Sequence, residues 1–298
     1  MYGMEIGTAI WKGEPTMKPT QNAALIEAFA RAFHTEHHFC PACDDPTARR
    51  LFTDEEYAQL ATAVTVLLQT LEPSFSGTPE EALLRVVDRY LVPLSAARES
   101  SIARALDSAA QTGTAQALFL GAGYSTLPLT HGARLPHVSF TVLERPSLLR
   151  DLQDRLRQAD IQMPGNVRYV STELRAPDWA HRFLRETGFD RHRRTFCALP
   201  GLAASCRPAA FQRRLLQLRA LLAPGSTVVF DYPFGALGNA LQDAELALAR
   251  LGFRVCEHLS PPDITAQFFD AYNLTHRHDR MTAPQNVRFC TAVRKADA

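Results

Sequence analysis

Chemistry in this 298-residue chain is suggested first by a glycine turn and two carboxylates. Residues 115–126 read AQALFLGAGYST: an apolar run from Ala117 to Leu120 stops at Gly121-Ala122-Gly123, and a polar, helix-compatible stretch follows. Backbone that turns sharply with no Cβ in the way lets a nucleotide-like ligand come close. The turn is weak evidence by itself, because GAG lacks the third glycine of the dinucleotide fingerprint. Glu144 strengthens it. It lies 21 residues after Gly123 (144 − 123) and ends the strand-like run FTVLE. A carboxylate there can accept hydrogen bonds from both hydroxyls of a ribose. Glu173 and Leu174 follow the third strand-like run, in YVSTELRAPDW. A polar group beside an apolar wall suits an adenine ring, although either acid could equally be a solvated strand-end or loop carboxylate.

These residues need a scaffold. From Thr114 onward strand-like runs (115–120, 138–144, 167–170, 195–199, 226–231, 253–258, 287–294) alternate with helical patterns (147–159, 178–187, 208–222, 238–251, 262–271). Such alternation implies an α/β, doubly wound, mostly parallel sheet. The last run follows a long irregular stretch from Tyr272 to Asn286 and suits an antiparallel strand, giving seven strands. The first 112 residues read as helices. Leu25, Ile26, Phe29 and Phe33 form one apolar face over 19–34. Thr53 and Glu56 are spaced as a capping box at the head of a helix over 53–71. Two further helices, Glu80–Tyr90 and Ser95–Ala110, are expected on either side of Pro93. The division is therefore 1–112 as a helical cap or lid and 113–298 as a Rossmann-like core.

Composition excludes several classes. A formal net charge of +1 gives no reason to expect nucleic acid or a membrane surface as partner. The opening MYGMEIGTAIWKGEP has no apolar signal core, and no run approaches the ~20 apolar residues of a membrane span, so a soluble cytoplasmic protein is expected. Six cysteines without a secretion signal do not suggest disulfides; Cys197, Cys256 and Cys290 sit in apolar runs and read as buried small hydrophobes.

The order LGAGYST, VLERP, TELRAPDW, GFDRHRRTF, LLAPGSTVVFDY resembles the class I S-adenosylmethionine (SAM) methyltransferases of the leucine carboxyl methyltransferase type, a group that includes many O-methyltransferases of polyketide and other secondary metabolism. The resemblance runs from about Leu91 to the C-terminus. It implies SAM as cofactor and a small-molecule acceptor, with a homodimer left open. It also implies roles. Arg98, in AARESSIARAL, matches the arginine on the SAM carboxylate. Gly121, Ala122, Gly123 and Tyr124 match the turn under the methionyl part, Glu144 the acid on the ribose, and Glu173-Leu174 the pair at the adenine.

The chain departs from the family at one place. After the fourth strand the family has a glutamate, then Gly-Leu, that holds the SAM ammonium; here TFCALPGLAAS puts Pro200 at that position. The ammonium would then rest on a carbonyl such as that of Ala198 or a hydroxyl such as Ser205. An α-amine titrates near ~8, and loss of a nearby carboxylate makes its neutral form easier to reach. Three readings follow. The first is O-methyl transfer, with a carboxylate acceptor needing no general base. In the second, a neutral amine attacks its own γ-carbon, giving azetidine-2-carboxylate and 5′-methylthioadenosine. The third is a SAM-binding scaffold without chemistry. Tyr124, Tyr232 and Phe234 could offer ring faces to the sulfonium, and His131 could serve as a base; each could also be ordinary packing.

FHTEHHFCPACDD offers His34, His37, His38, Cys40 and Cys43, but no second pair at finger-like spacing follows, and no metal is expected. A lid leading into the turn Asp45-Pro46-Thr47-Ala48 is the expected use of this segment. Arg182, Arg185, Arg191, Arg193 and Arg194 alternate with Glu186 and Asp190 and read as a solvated face. Thr275-His276-Arg277-His278-Asp279 lies in the late loop, where it could border the substrate mouth.

Overall fold

The computed structural model describes residues 19–238 and 240–296. The first 18 residues of the expected cap lie outside that range. One seven-stranded sheet organises the molecule: β1 (Gln116–Leu120), β2 (Ser139–Glu144), β3 (Val167–Ser171), β4 (Thr195–Leu199), β5 (Thr227–Pro233), β6 (Phe253–Leu259) and β7 (Val287–Arg294), in the order β3-β2-β1-β4-β5-β7-β6. The first five strands pair in parallel, and β7 runs antiparallel between β5 and β6. The order reverses between β1 and β4, so a crevice opens at their C-terminal ends, where doubly wound sheets bind ligands.

The central strands are continuous apolar runs because both of their faces are covered. Alternate residues enter opposite cores. Ala117, Phe119, Phe140, Val142, Phe196 and Ala198 face one core, and Leu118, Leu120, Leu143, Cys197 and Leu199 the other. Phe119 packs between Phe140 and Phe196 at centroid distances of 6.3 and 6.2 Å. Burial of each such ring contributes about 1.5–3 kcal/mol.

The helices before the sheet pack on the first of these faces and share its core. They are α1 (Pro19–His37), α2 (Pro46–Arg50), α3 (Asp54–Leu71), α4 (Pro79–Val86) and α5 (Val92–Gln111). Leu25, Ile26, Phe29 and Phe33 of α1 are buried, as its periodicity requires. The expected capping box at Thr53 is half-formed: Thr53 accepts from the Glu56 N–H, and no return bond is made. A complete box stands at Thr78 and Glu81 instead.

Pro93 is not a break. A π-helical turn, Val87–Leu91, joins α4 to α5, and Pro93 occupies the first turn of α5, where a missing N–H costs nothing. The remaining helices are α6 (Leu127–Arg134), α7 (Pro146–Gln158), α8 (Trp179–Thr187), α9 (Pro208–Leu221), α10 (Leu241–Arg250), α11 (Pro261–Phe268) and α12 (Asp270–Thr275). The pattern expected over 262–271 is thus two short helices, the second reaching into the stretch read as irregular. Cys197 and Cys290 are buried as expected, but Cys256 is exposed; it falls at the register shift between Val255 and Glu257 in the edge strand β6.

Candidate functional site

The glycine turn sits at the tip of β1. Gly121 and Gly123 have φ of 73° and 62°, the left-handed region open to glycine. A Cβ on Gly123 would come within 3.2 Å of Ala24 Cβ in α1. The backbone of the turn is held from β2: the Gly123 N–H donates to Glu144 Oε2 at 3.0 Å, and the Arg145 N–H donates to Oε1 at 2.8 Å. Burial pushes the Glu144 pKa up, opposed by these two backbone bonds. Each carboxylate oxygen keeps a lone pair for a further donor, which is what a ribose diol supplies. Leu174 is buried beside the turn, its Cδ1 4.0 Å from where a Gly121 Cβ would lie. Glu173 is exposed, and its carboxylate accepts the Arg175 N–H at 3.3 Å.

The second half of the site lies at the tips of β4 and β5. Arg98, buried on α5, donates from Nε and Nη2 to the two oxygens of Asp231, both at 3.1 Å, and from Nη1 to Glu27 at 2.9 Å. Burial opposes the charge of the guanidinium, but Asp231 and Glu27 outweigh it and keep it protonated. Asp231 also accepts the Gly201 N–H at 2.7 Å. Gly201 has φ of 63°, and a Cβ there would stand 3.5 Å from the Arg98 guanidinium. With two carboxylates to one guanidinium, the cluster carries a net charge of −1, which suits the zwitterionic end of an amino acid. Asp231 and Glu27 were not singled out in the sequence. Asp231 interrupts the apolar run of β5 two residues before the strand's end, much as Glu144 closes β2, and that signal marks it.

The turn that precedes α2 docks on the same corner. Asp45 caps α2 through the Ala48 N–H at 3.1 Å, accepts Thr126 Oγ1 at 2.6 Å and pairs with Arg31 at 3.1 Å. Arg31 also donates to the Tyr124 carbonyl at 3.1 Å, and Ser125 donates to Glu99 at 2.8 Å. Burial pushes the Glu99 pKa up.

Several candidates stand elsewhere. Tyr124 is 1% exposed; its hydroxyl donates to Asp151 at 2.6 Å and its ring lies under the Arg155 guanidinium, so it packs against α7 and offers no open face to a sulfonium. His131 lies late in α6, 3.7 Å from Asp107, which also pairs with Arg134; it belongs to a surface ion group, and burial lowers its pKa. Ser205 is exposed and its hydroxyl donates to the Leu202 carbonyl at 2.9 Å, a local turn bond. Ala198 is an interior ladder residue, paired with Phe119 on one side and Val229 on the other.

Tyr232 is buried and its hydroxyl lies 2.5 Å from His258 Nε2. The two border a 220 Å³ cavity with Phe234, Asp263 and Arg288. Phe234 is half-exposed, with the Arg288 guanidinium 5.3 Å from its ring centre. Burial, then Arg288, lowers the His258 pKa. His34 and His38 turn toward Asp88, their ligand atoms within 4.8 Å of one another, and neither Cys40 nor Cys43 belongs to that group. Burial raises the Cys43 pKa, and His37 stacks on Phe33 with its Nδ1 2.8 Å from the Phe33 carbonyl.

Comparison with known proteins decides the family. The model for leucine carboxyl methyltransferase matches residues 24–218, well over half of the chain. The chain belongs to the leucine carboxyl methyltransferase family. It is a SAM-dependent methyltransferase by family, and SAM is its cofactor. A relative in Bacillus subtilis (strain 168), named "Putative S-adenosyl-L-methionine-dependent methyltransferase YktD", is 24% identical over 302 aligned positions, covering 91% of this chain and 97% of that protein. Among solved structures, the mitomycin 7-O-methyltransferase MmcR is 13% identical, with 91% of this chain and 74% of that one covered at a TM-score of 0.45. The magnesium protoporphyrin IX methyltransferase ChlM of Synechocystis PCC 6803 is 9% identical, with 68% and 85% covered at 0.46. No helix among the described residues is long and apolar enough to cross a membrane.

Proposed function

We propose that this chain transfers the SAM methyl group to an oxygen of a small acceptor of the secondary-metabolite type, a carboxylate being the acceptor that fits best. Residues 1–112 serve as a cap over a SAM-binding core, 113–298. Glu144 takes the ribose hydroxyls, the backbone of Gly121–Gly123 passes under the methionyl part, and Leu174 with Glu173 borders the adenine. Arg98 takes the SAM carboxylate, and Asp231 with Glu27 takes the ammonium.

The observation that carries this reading is the cluster of Arg98, Asp231 and Glu27, with its excess negative charge beside Gly201. The family's glutamate is replaced by Pro200, yet a carboxylate reaches the same corner from the next strand. Its field favours the charged ammonium. A charged ammonium is no nucleophile, so methyl transfer is favoured over closure to azetidine-2-carboxylate. The cavity at Tyr232, His258 and Arg288 lies at the same end of β5, on the opposite face of the strand from Asp231, and holds a cation for an anionic acceptor. A carboxylate is already ionised at neutral pH, so no general base is required. The protein then mainly aligns the acceptor oxygen with the methyl carbon.

The test is incubation of the purified protein with SAM alone and with a panel of small carboxylates, read by mass spectrometry. S-adenosylhomocysteine and a methyl ester, formed only with an acceptor, are expected. Methylthioadenosine with a four-carbon cyclic amino acid from SAM alone would overturn the reading in favour of cyclisation. Absence of SAM binding by calorimetry would overturn both.

A further inference from the structure

Two stripes of α1 have separate uses. Leu25, Ile26, Phe29 and Phe33 fill the core. Ala24, Glu27, Arg31 and Thr35 recur at helical spacing on another side. A Cβ on Gly123 would meet Ala24, Glu27 accepts from Arg98, and Arg31 donates from Nη2 to the Tyr124 carbonyl at 3.1 Å. Thr35 fixes the loop that leads to α2. Its hydroxyl donates to the Cys43 carbonyl at 3.0 Å and accepts the Asp45 N–H at 2.9 Å. Arg31 then takes the Asp45 side chain, from Nε to Oδ2 at 3.1 Å.

Thr126 stands at the N-cap of α6, where a hydroxyl ordinarily accepts an N–H of its own helix. It makes no such bond and donates instead to Asp45 Oδ1 at 2.6 Å. The same oxygen accepts the Ala48 N–H at 3.1 Å as the cap of α2. One carboxylate therefore joins α1, α2 and α6. Arg31, Asp45 and Thr126 are all buried, so each of these bonds is made away from water. Burial opposes the charge of Arg31, but Glu99 and Asp45 outweigh it and keep the guanidinium protonated.

Consecutive residues of the glycine turn are thus held from different elements. Gly123 is held from β2 through Glu144, Tyr124 from α1 through Arg31, Ser125 from α5 through Glu99, and Thr126 from the loop before α2 through Asp45. Only the first of these supports belongs to the sheet; the others come from the helices that precede it.

The geometry points to Arg31, Asp45 and Thr126 as positioning residues for SAM: they act through the glycine turn, so that docking of the cap and binding of SAM are one coupled event. This rests on the reading that SAM lies on that turn. A turn built on Gly121 and Gly123 has much conformational freedom to lose, and its shape must be imposed by its neighbours. A docked cap that imposes the binding shape raises SAM affinity. By linkage, bound SAM tightens the docking of the cap by the same factor.

Calorimetry and hydrogen exchange on the full chain test this. Thr126→Val removes the hydroxyl and keeps the branched shape. It should weaken SAM and 5′-methylthioadenosine alike, by about 5- to 30-fold, because the whole turn is affected. Thr126→Ser keeps the hydroxyl and should stay within about twofold of the unaltered chain. Saturating SAM should slow amide exchange in residues 31–50 of the unaltered chain, and Thr126→Val should remove most of that slowing; a hydroxyl that only stabilises the fold would leave the response to SAM intact. Unchanged affinity in Thr126→Val, a Thr126→Ser as weak as Thr126→Val, or cap amides indifferent to SAM overturns the inference. Glu144→Gln separates this from a cofactor seated elsewhere. If it weakens SAM and Thr126→Val does not, the coupling alone falls; if neither weakens SAM, the reading that SAM lies on the turn falls with it. Should Thr126→Val not fold, Arg31→Lys reads the same support, since it keeps the charge but puts one nitrogen in place of the guanidinium fork. Its SAM affinity should drop within the same range, and an unchanged value overturns the inference.

Discussion

Asp231→Asn is the sharpest probe of the SAM corner. Asp231 accepts three hydrogen bonds, two from Arg98 at 3.1 Å and one from Gly201 at 2.7 Å. Asparagine keeps the shape and one oxygen, but its NH₂ faces the guanidinium. One charge-assisted bond is lost, at a cost of about 1.5–3 kcal/mol. Arg98 keeps Glu27 as partner, so the loss should stay below the roughly 3–5 kcal/mol of a fully broken buried pair. In a chain of this size that lowers the melting temperature by about 3–12 °C. The cluster charge changes from −1 to 0, and the ammonium loses its counter-charge. A loss of about 1.5–3 kcal/mol in binding corresponds to about a 10- to 150-fold weaker SAM complex. Calorimetry should compare SAM with 5′-methylthioadenosine, which has the nucleoside and sulfur but no amino-acid end. The substitution should weaken SAM by that factor and leave methylthioadenosine within about twofold. An equal loss for both ligands would mean that Asp231 acts through the shape of the turn. An unchanged SAM affinity would refute the ammonium role outright.

Glu144→Gln should weaken SAM by a similar factor, about 10- to 150-fold, because the ribose hydroxyls lose a charged acceptor. It should also flatten the acid side of the SAM affinity profile. Burial raises the Glu144 pKa, so below that raised value the free protein holds a neutral carboxyl and SAM must displace a proton; affinity therefore falls as pH drops, and only when Glu144 is present. By the same shift, Glu144 costs the free protein stability as pH rises from its unfolded pKa through its folded one, and thermal melts across that window should show it. Gly132→Ala tests the packing of α6 on β3: the added Cβ would lie 2.3 Å from Val167 Cγ2. A loss of about 1–3 kcal/mol by denaturant titration is expected, and a neutral result would mean that α6 shifts freely.

The backbone was legible where its signal is local. FTVLE and TFCAL are central strands because two covered faces need continuous apolar runs, and Gly121 and Gly123 adopt the left-handed angles their residue type suggests. Misreadings arose where a neighbour far along the chain decides. Tyr124 follows the glycines, and its position there says nothing of Arg155 and Asp151 waiting on α7. Pro93 reads as a stop, but a π-helical turn lets it begin a helix. Cys256 fits an apolar run, yet it falls at a register shift against β7 that the run does not show. The site follows the same logic. A buried charge must be paired, and the pairs here span 133 residues for Arg98–Asp231 and 71 for Arg98–Glu27. Helix and strand periodicity cannot report such a partner. Strand position can: Glu144 and Asp231 are both acids at the C-terminal end of apolar parallel strands, β2 and β5, flanking the point where the strand order reverses. An acid that interrupts an apolar run at that end must find a cation, a ligand or an N–H. Glu144 was read that way and Asp231 was not, and attention went to Pro200 as a missing charge while Asp231, whose carboxylate accepts the N–H of the neighbouring Gly201, went unread.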